Sequence, residues 1–216
     1  DLSASSKTGQ QMTLPTIVKC SSCDGKGTIA GDKKLLEYLY KNRHATPFEM
    51  AGLVIETMIP IAAIREWHRH RTQSYNEMSA RYIPLPDVNY MPTVKRCMMV
   101  NVANKQAGAV KGSDELTHES VIAWLEELAG VYKHAEDVYQ SGLRRGIPKE
   151  VARLPVPVGR YTRMRASANL RNWLAFLTLR MAPNAQWEIR QYADVVGLLV
   201  AECFPRTWEL FIGERP

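Results

Sequence analysis

The apolar positions of this chain follow two periods, and the switches between them outline its elements. Leu35, Leu36, Leu39 and Tyr40 recur at helical spacing and predict a helix over 33–42 behind a cap at Asp32. MAGLVIETMI, residues 50–59, is apolar and partly β-branched and reads as a strand. Pro60 then stands at a first helical position. Ile61, Ile64, Trp67 and His68 mark one face of the helix it opens, which reaches about Arg71. The longest periodic stretch opens at Asp114 and closes at Gly146. Its stripe of Val121, Trp124, Leu125, Leu128, Val131, Tyr132, Ala135, Val138, Tyr139 and Leu143 keeps the 3.6 period. Pro148 opens a short helix through Arg153. VGRYTRMRASA, 158–168, alternates basic and other residues, which predicts a strand turning Arg160, Arg163 and Arg165 towards an anion. Asn169 caps a helix carrying Leu170, Trp173, Leu174 and Leu177; Asn184 caps another over 185–203; a last turn starts at Pro205.

Between these elements the periodicity fails. Residues 1–16 are rich in Ser, Thr and Gln, and the first 30 residues are expected to be loosely ordered. PTIVKCSSC, 15–23, suggests a short strand running into the turn DGKG. Residues 83–112 form a long irregular excursion, a candidate lid. No repeats and no linker divide the chain. The expectation is one α+β domain over 1–216.

Charge narrows the partners. The 28 Lys and Arg exceed the 22 Asp and Glu, for a net charge of +6, which suits anionic ligands. Arg is concentrated in 65–81 and 144–190, the pattern of forked contacts to phosphate or carboxylate. No apolar run of about 18 residues suggests a membrane span, and no leader pattern opens the sequence. A cytoplasmic protein is expected. Of four Cys, Cys20 and Cys23 make a C-x-x-C without a second half, so no metal site is expected. Two competing readings are a zinc-dependent interaction module on Cys20 and Cys23, and a basic nucleic-acid-binding protein. The latter lacks any helix-turn-helix, zinc-finger or RNP pattern.

RHRTQSYNEMSARY, 69–82, is too polar for a core and too rich in forked and amide groups for a linker. Arg69, His70, Arg71 and Ser79 fill the R-H-R and Ser positions that mark the flavin-dependent thymidylate synthases, which the chain resembles. HATPFEM at 44–50, EVAR at 150–153, YTRMRASANLRNWLAFLTLR at 161–180 and AQWEIRQYA at 185–193 are similar to that family in the same order. Three places depart from its pattern. CSSC puts Ser21 and Cys23 where many members have Arg and Ser. Ala175 stands where some have Asn, and Glu66 where others have Gln.

The resemblance implies a small, mostly antiparallel sheet flanked by long helices. It also implies a reaction: reductive methylation of dUMP to dTMP, with 5,10-methylenetetrahydrofolate as carbon donor, reduced FAD as hydride donor and NADPH as reductant. Carried over residue by residue, FAD falls to His44, Thr46, Arg69, His70, Arg71, Glu77, Asn169, Leu170 and Arg171. The nucleotide falls to Glu66, Trp67, His68, Arg69, Glu77, Met78, Ser79, Ala80, Arg81, Arg153 and Arg180. Arg180 is the catalytic candidate at the uracil edge: it cannot act as a base at ordinary pH, but it can stabilise charge developing at N3 and O4. Ser79 has no base beside it in sequence and reads as a hydrogen-bonding group. Trp67, Tyr75 and Tyr90 are candidates for the folate slot. The resemblance further implies a homotetramer with sites shared between subunits, and no nucleic-acid or membrane partner.

Overall fold

The computed structural model describes residues 16–18, 32–99 and 116–214. Its elements in chain order are β1 (Thr16–Val18), α1 (Asp32–Lys41), a 3-10 turn (Thr46–Glu49), β2 (Gly52–Pro60), α2 (Ile61–Trp67), β3 (Ser74–Glu77), α3 (Val94–Cys97), α4 (His118–Arg144), α5 (Lys149–Ala152), β4 (Tyr161–Asn169), α6 (Leu170–Arg180), α7 (Trp187–Cys203) and α8 (Pro205–Gly213). The strands form one antiparallel sheet in the order β1-β2-β4-β3. This is the expected α+β architecture. Cys20, Cys23, Asp114 and residues 100–112 lie outside the described residues.

The sheet follows from alternation. Leu53, Ile55, Thr57 and Ile59 of β2 and Thr162, Met164 and Ala166 of β4 face inward and are buried. They meet Trp67 of α2, Trp173, Phe176 and Leu177 of α6, and Val196 and Val200 of α7 in one core. Burying a side chain such as Phe176 or Leu177 contributes roughly 1.5–3 kcal/mol. Two polar tips in this core find backbone partners: the Trp173 indole N–H donates to the Leu53 carbonyl at 3.1 Å and the Tyr192 hydroxyl to the Met58 carbonyl at 3.0 Å.

The basic alternation of β4 has an internal answer. Arg163 and Arg165 lie on the outer face and flank Glu56 of β2, with Arg165 Nε 2.6 Å and Arg163 Nε 3.9 Å from its carboxylate. Arg160 precedes the strand and is fully buried. It donates to the Pro86 carbonyl at 2.9 Å and to Glu136 at 2.6 Å, and sits 3.2 Å from Asp87. The anion these three Arg face is therefore supplied by the chain's own carboxylates.

Several boundaries are corrected. Pro60 ends β2 and caps α2 with an extended backbone, and α2 stops at Trp67 rather than Arg71. α4 begins behind Thr117, whose hydroxyl accepts from the Ser120 N–H while the Ser120 hydroxyl accepts from the Thr117 N–H. α7 is entered from Gln186, not Asn184, and the last turn is a full helix. Most of the α4 stripe is not core: of its ten residues only Val121, Ala135 and Tyr139 are buried. The described part of the excursion, 83–99, is strapped down. Asn89 bridges to Arg160, and the Tyr90 N–H donates to the Gly159 carbonyl at 2.8 Å. Glu188 at the start of α7 accepts from Arg96 at 2.7 Å, Tyr90 at 2.9 Å and Gln186 at 2.9 Å.

Candidate active site

The R-H-R segment lies beside α6. At the C-terminal end of that helix, Arg180 donates from Nε to His70 Nε2 at 2.9 Å, from Nη1 to Glu66 Oε2 at 3.0 Å and from Nη2 to the Glu66 carbonyl at 3.0 Å. Near its N-terminal end the Asn172 amide donates to the Thr72 carbonyl at 3.3 Å. The two contacts are eight helical steps apart, about 12 Å of rise. Residues 66–72 are thereby pinned at both ends. The Tyr75 hydroxyl, donating to the carbonyls of Trp67 at 3.1 Å and His70 at 2.8 Å, fixes the turn between.

His70 is neutral here. Burial first, and then the adjacent Arg180 cation, pull its pKa from 6.5 down to about 4, against an opposing pull from Glu66. Its Nε2 accepts from Arg180, which leaves the proton and the donor capacity on Nδ1. Arg69 is exposed and lies 3.4 Å from Glu66, while Arg71 is exposed and forms no ion pair among the described residues.

The other cofactor candidates gather at the N-terminus of α6. The Asn169 side chain accepts from the Asn172 N–H at 2.9 Å and caps the helix, as its position in the sequence predicts. Arg171 pairs with Glu49 and so docks the 3-10 turn carrying Thr46 against this helix. His44 enters from α1 through a left-handed residue, Arg43 (φ 57), with the His44 N–H donating to the Leu39 carbonyl at 2.9 Å. Its ring meets Tyr38 edge-on at 6.0 Å.

The nucleotide candidates divide into two groups. Glu77, Met78, Ala80 and Arg153 line a cavity of about 280 Å³ whose apolar wall includes Ile61, Leu85 and Val156. Arg153 and Glu77 are exposed there and form no ion pair among the described residues. Beside it Arg81 pairs with Glu150 at 3.0 Å, and the Ser79 hydroxyl accepts from the Arg81 N–H at 3.3 Å. The second group is Glu66, Arg69 and Arg180, knotted to the cofactor candidate His70; none of the four lines that cavity. His68 is exposed and its ring packs on Tyr75 at 4.5 Å.

Two of the candidates have side chains buried in the core. Trp67 is fully buried against Trp173 and Phe176, with its indole N–H donating to Gln73 at 2.9 Å, so its side chain has no surface for nucleotide or folate. Leu170 is likewise a core residue. The sequence reading missed the apolar cavity wall; Ile61 and Val156 carry no chemistry that would have singled them out.

The chain as a whole matches a known family. Residues 4–206 fit the family model described as thymidylate synthase complementing protein. This chain is a flavin-dependent thymidylate synthase family member. A flavin-dependent thymidylate synthase of Thermus thermophilus is 36% identical over 205 residues, covering 94% of this chain and 72% of that one. One from Rickettsia prowazekii is 38% identical over 198 residues, covering 87% and 67%. A crystal structure of a UMP/dUMP methylase, PolB from Streptomyces cacaoi, bound with 5-Br UMP, superposes with a TM-score of 0.77 at 30% identity over 93% of each chain.

Proposed function

We propose that this protein methylates dUMP to dTMP, with FAD, NADPH and methylenetetrahydrofolate as its co-reactants. The observation that carries the reading is the knot at Arg180, a nearly enclosed guanidinium with 14% side-chain exposure, set between a neutral His70 and the carboxylate of Glu66. Arg180 has five N–H groups and commits three inside the chain. The remaining two suit the carbonyl and ring nitrogen of a pyrimidine, where they stabilise negative charge as C5 reacts.

Arg153 and Glu77 suit the phosphate and sugar of the nucleotide in the cavity. Arg81 would first have to leave Glu150. The cofactor fits the remaining groups: Arg69 and Arg71 are exposed cations, His70 keeps an Nδ1 donor, and α6 presents its N-terminus between Asn169 and Arg171. Bound and reduced, FAD would supply the hydride that completes the methyl group. The family's cysteine-free route agrees with Cys97 and Cys203 lying outside both clusters.

The division of the nucleotide residues into two groups supports a site completed by neighbouring copies in a homotetramer. Trp124, Val131 and Val138 of α4 are 49%, 59% and 44% exposed and recur every seventh residue, a stripe suited to a partner helix. We read the chain as one cytoplasmic domain. No described helix is long and apolar enough to cross a membrane, and no described cluster of His, Cys, Asp or Glu is suited to a metal ion.

The test is a purified protein supplied with FAD, NADPH and methylenetetrahydrofolate. A yellow protein releasing tritium from 5-labelled dUMP supports the reading; a colourless one without release refutes it. The likeness to a UMP/dUMP methylase favours UMP as a second substrate. Equal amounts of dUMP and UMP in one reaction, resolved by chromatography, decide between strict and relaxed use of the sugar.

A further inference from the structure

The Arg180 knot contains one residue whose geometry exceeds a ligand contact. Glu66 grips Arg180 twice, through its Oε2 at 3.0 Å and its own carbonyl at 3.0 Å. Its other carboxylate oxygen faces Arg69 Nη2 at 3.4 Å. Exposure falls steeply across the three, from 70% for the Arg69 side chain to 23% for Glu66 and 14% for Arg180. One acid thus stands between two cations, Arg180 assigned to the nucleotide and Arg69 to both the nucleotide and the flavin. Without it, two like charges would face each other where Arg180 has little water to screen it. His70, being neutral, can accept one bond from Arg180 but cannot balance its charge.

We infer that Glu66 is a positioning residue: its carboxylate and carbonyl fix the plane of the Arg180 guanidinium and tie it to Arg69, linking the pyrimidine-facing cation to the one shared by nucleotide and flavin. This rests on the reading of Arg180 given above. A guanidinium held from three directions keeps few rotamers, so its two remaining N–H groups are aimed before substrate arrives. An amide at position 66 would still accept one bond from Arg180. It would not hold Arg69, and it would leave the two cations uncompensated.

The experiment compares wild type, E66Q and E66A in steady-state dUMP turnover, thermal melting, and ¹⁵N NMR of the Arg180 Nε–H. In E66A, kcat falls on the order of 10²-fold while KM for dUMP moves less. E66Q loses less than E66A, and its Arg180 Nε–H resonance stays protected while that of E66A is averaged away. Wild-type kcat in E66A overturns the inference, as does a protected Arg180 resonance in E66A. Should wild type not turn over dUMP, the functional reading fails, and the resonance alone decides the positioning role. If E66A does not fold, E66M keeps the bulk without the acceptor and takes its place.

Discussion

Arg180 sits 114 residues from Glu66 and 110 from His70 along the chain, yet the three form one hydrogen-bonded unit. Each was nameable from the sequence as a polar candidate. Their mutual contact was not, because ion pairs depend on how α2 and α6 cross. Replacing Arg180 with Ala is expected to abolish tritium release while the protein stays yellow, which absorbance and the release assay check together. The same residue depresses the pKa of His70, so the variant should also move the His70 titration upward from about 4, as histidine NMR would show. The depressed value has a consequence for stability. Between pH 6.5 and about 4 the unfolded chain binds the His70 proton and the folded chain does not. Stability from this group is full above pH 6.5 and declines as the solution is acidified towards 4. Melting curves across that window should slope less steeply in His70→Asn than in wild type. An identical slope would remove His70 from the acid response.

At the scale of elements, β2, β4, α6 and α7 were legible because their burial follows a clean period. β3 was not. Only Tyr75 of its four residues, Ser74–Glu77, packs against the core, so period 2 has too few repeats to register. The strand exists because β4 offers it an edge, with Ser74 opposite Ser167 and Glu77 opposite Met164. The strapping of the excursion was hidden for a similar reason. Its anchors, Tyr90 and Arg96, meet Glu188 across 98 and 92 residues. Burial works to raise the Glu188 pKa, but the Arg96, backbone and Gln186 hydrogen bonds and the Arg96 charge outweigh it and keep it a carboxylate. Glu188→Ala leaves Arg96 without its partner. The expected cost is about 2–3 kcal/mol, short of the ~3–5 kcal/mol of a fully buried pair because Arg96 keeps 19% exposure. Urea denaturation measures it; an unchanged midpoint would show the strap to be held by other contacts.

For the whole molecule, the exposed stripe on α4 is the largest departure from what periodicity implied. Amphipathic spacing announces that a face will be covered, but not whether the cover comes from the same chain. Trp124→Asp should lower the mass seen by light scattering if α4 builds the proposed tetramer, and leave it unchanged if it does not. The sequence by itself determined the polar vocabulary of the candidate site, Arg forks, a His and a helix-cap Asn, because such groups must be encoded one by one. It also determined the long elements, because hydrophobic period is a local property. The tertiary structure alone decided which charges neutralise each other and that Trp67 is core. It alone set the cavity beside Arg153 and the face of α4 that stays open, because pairing and burial depend on distances across the chain that no local pattern records.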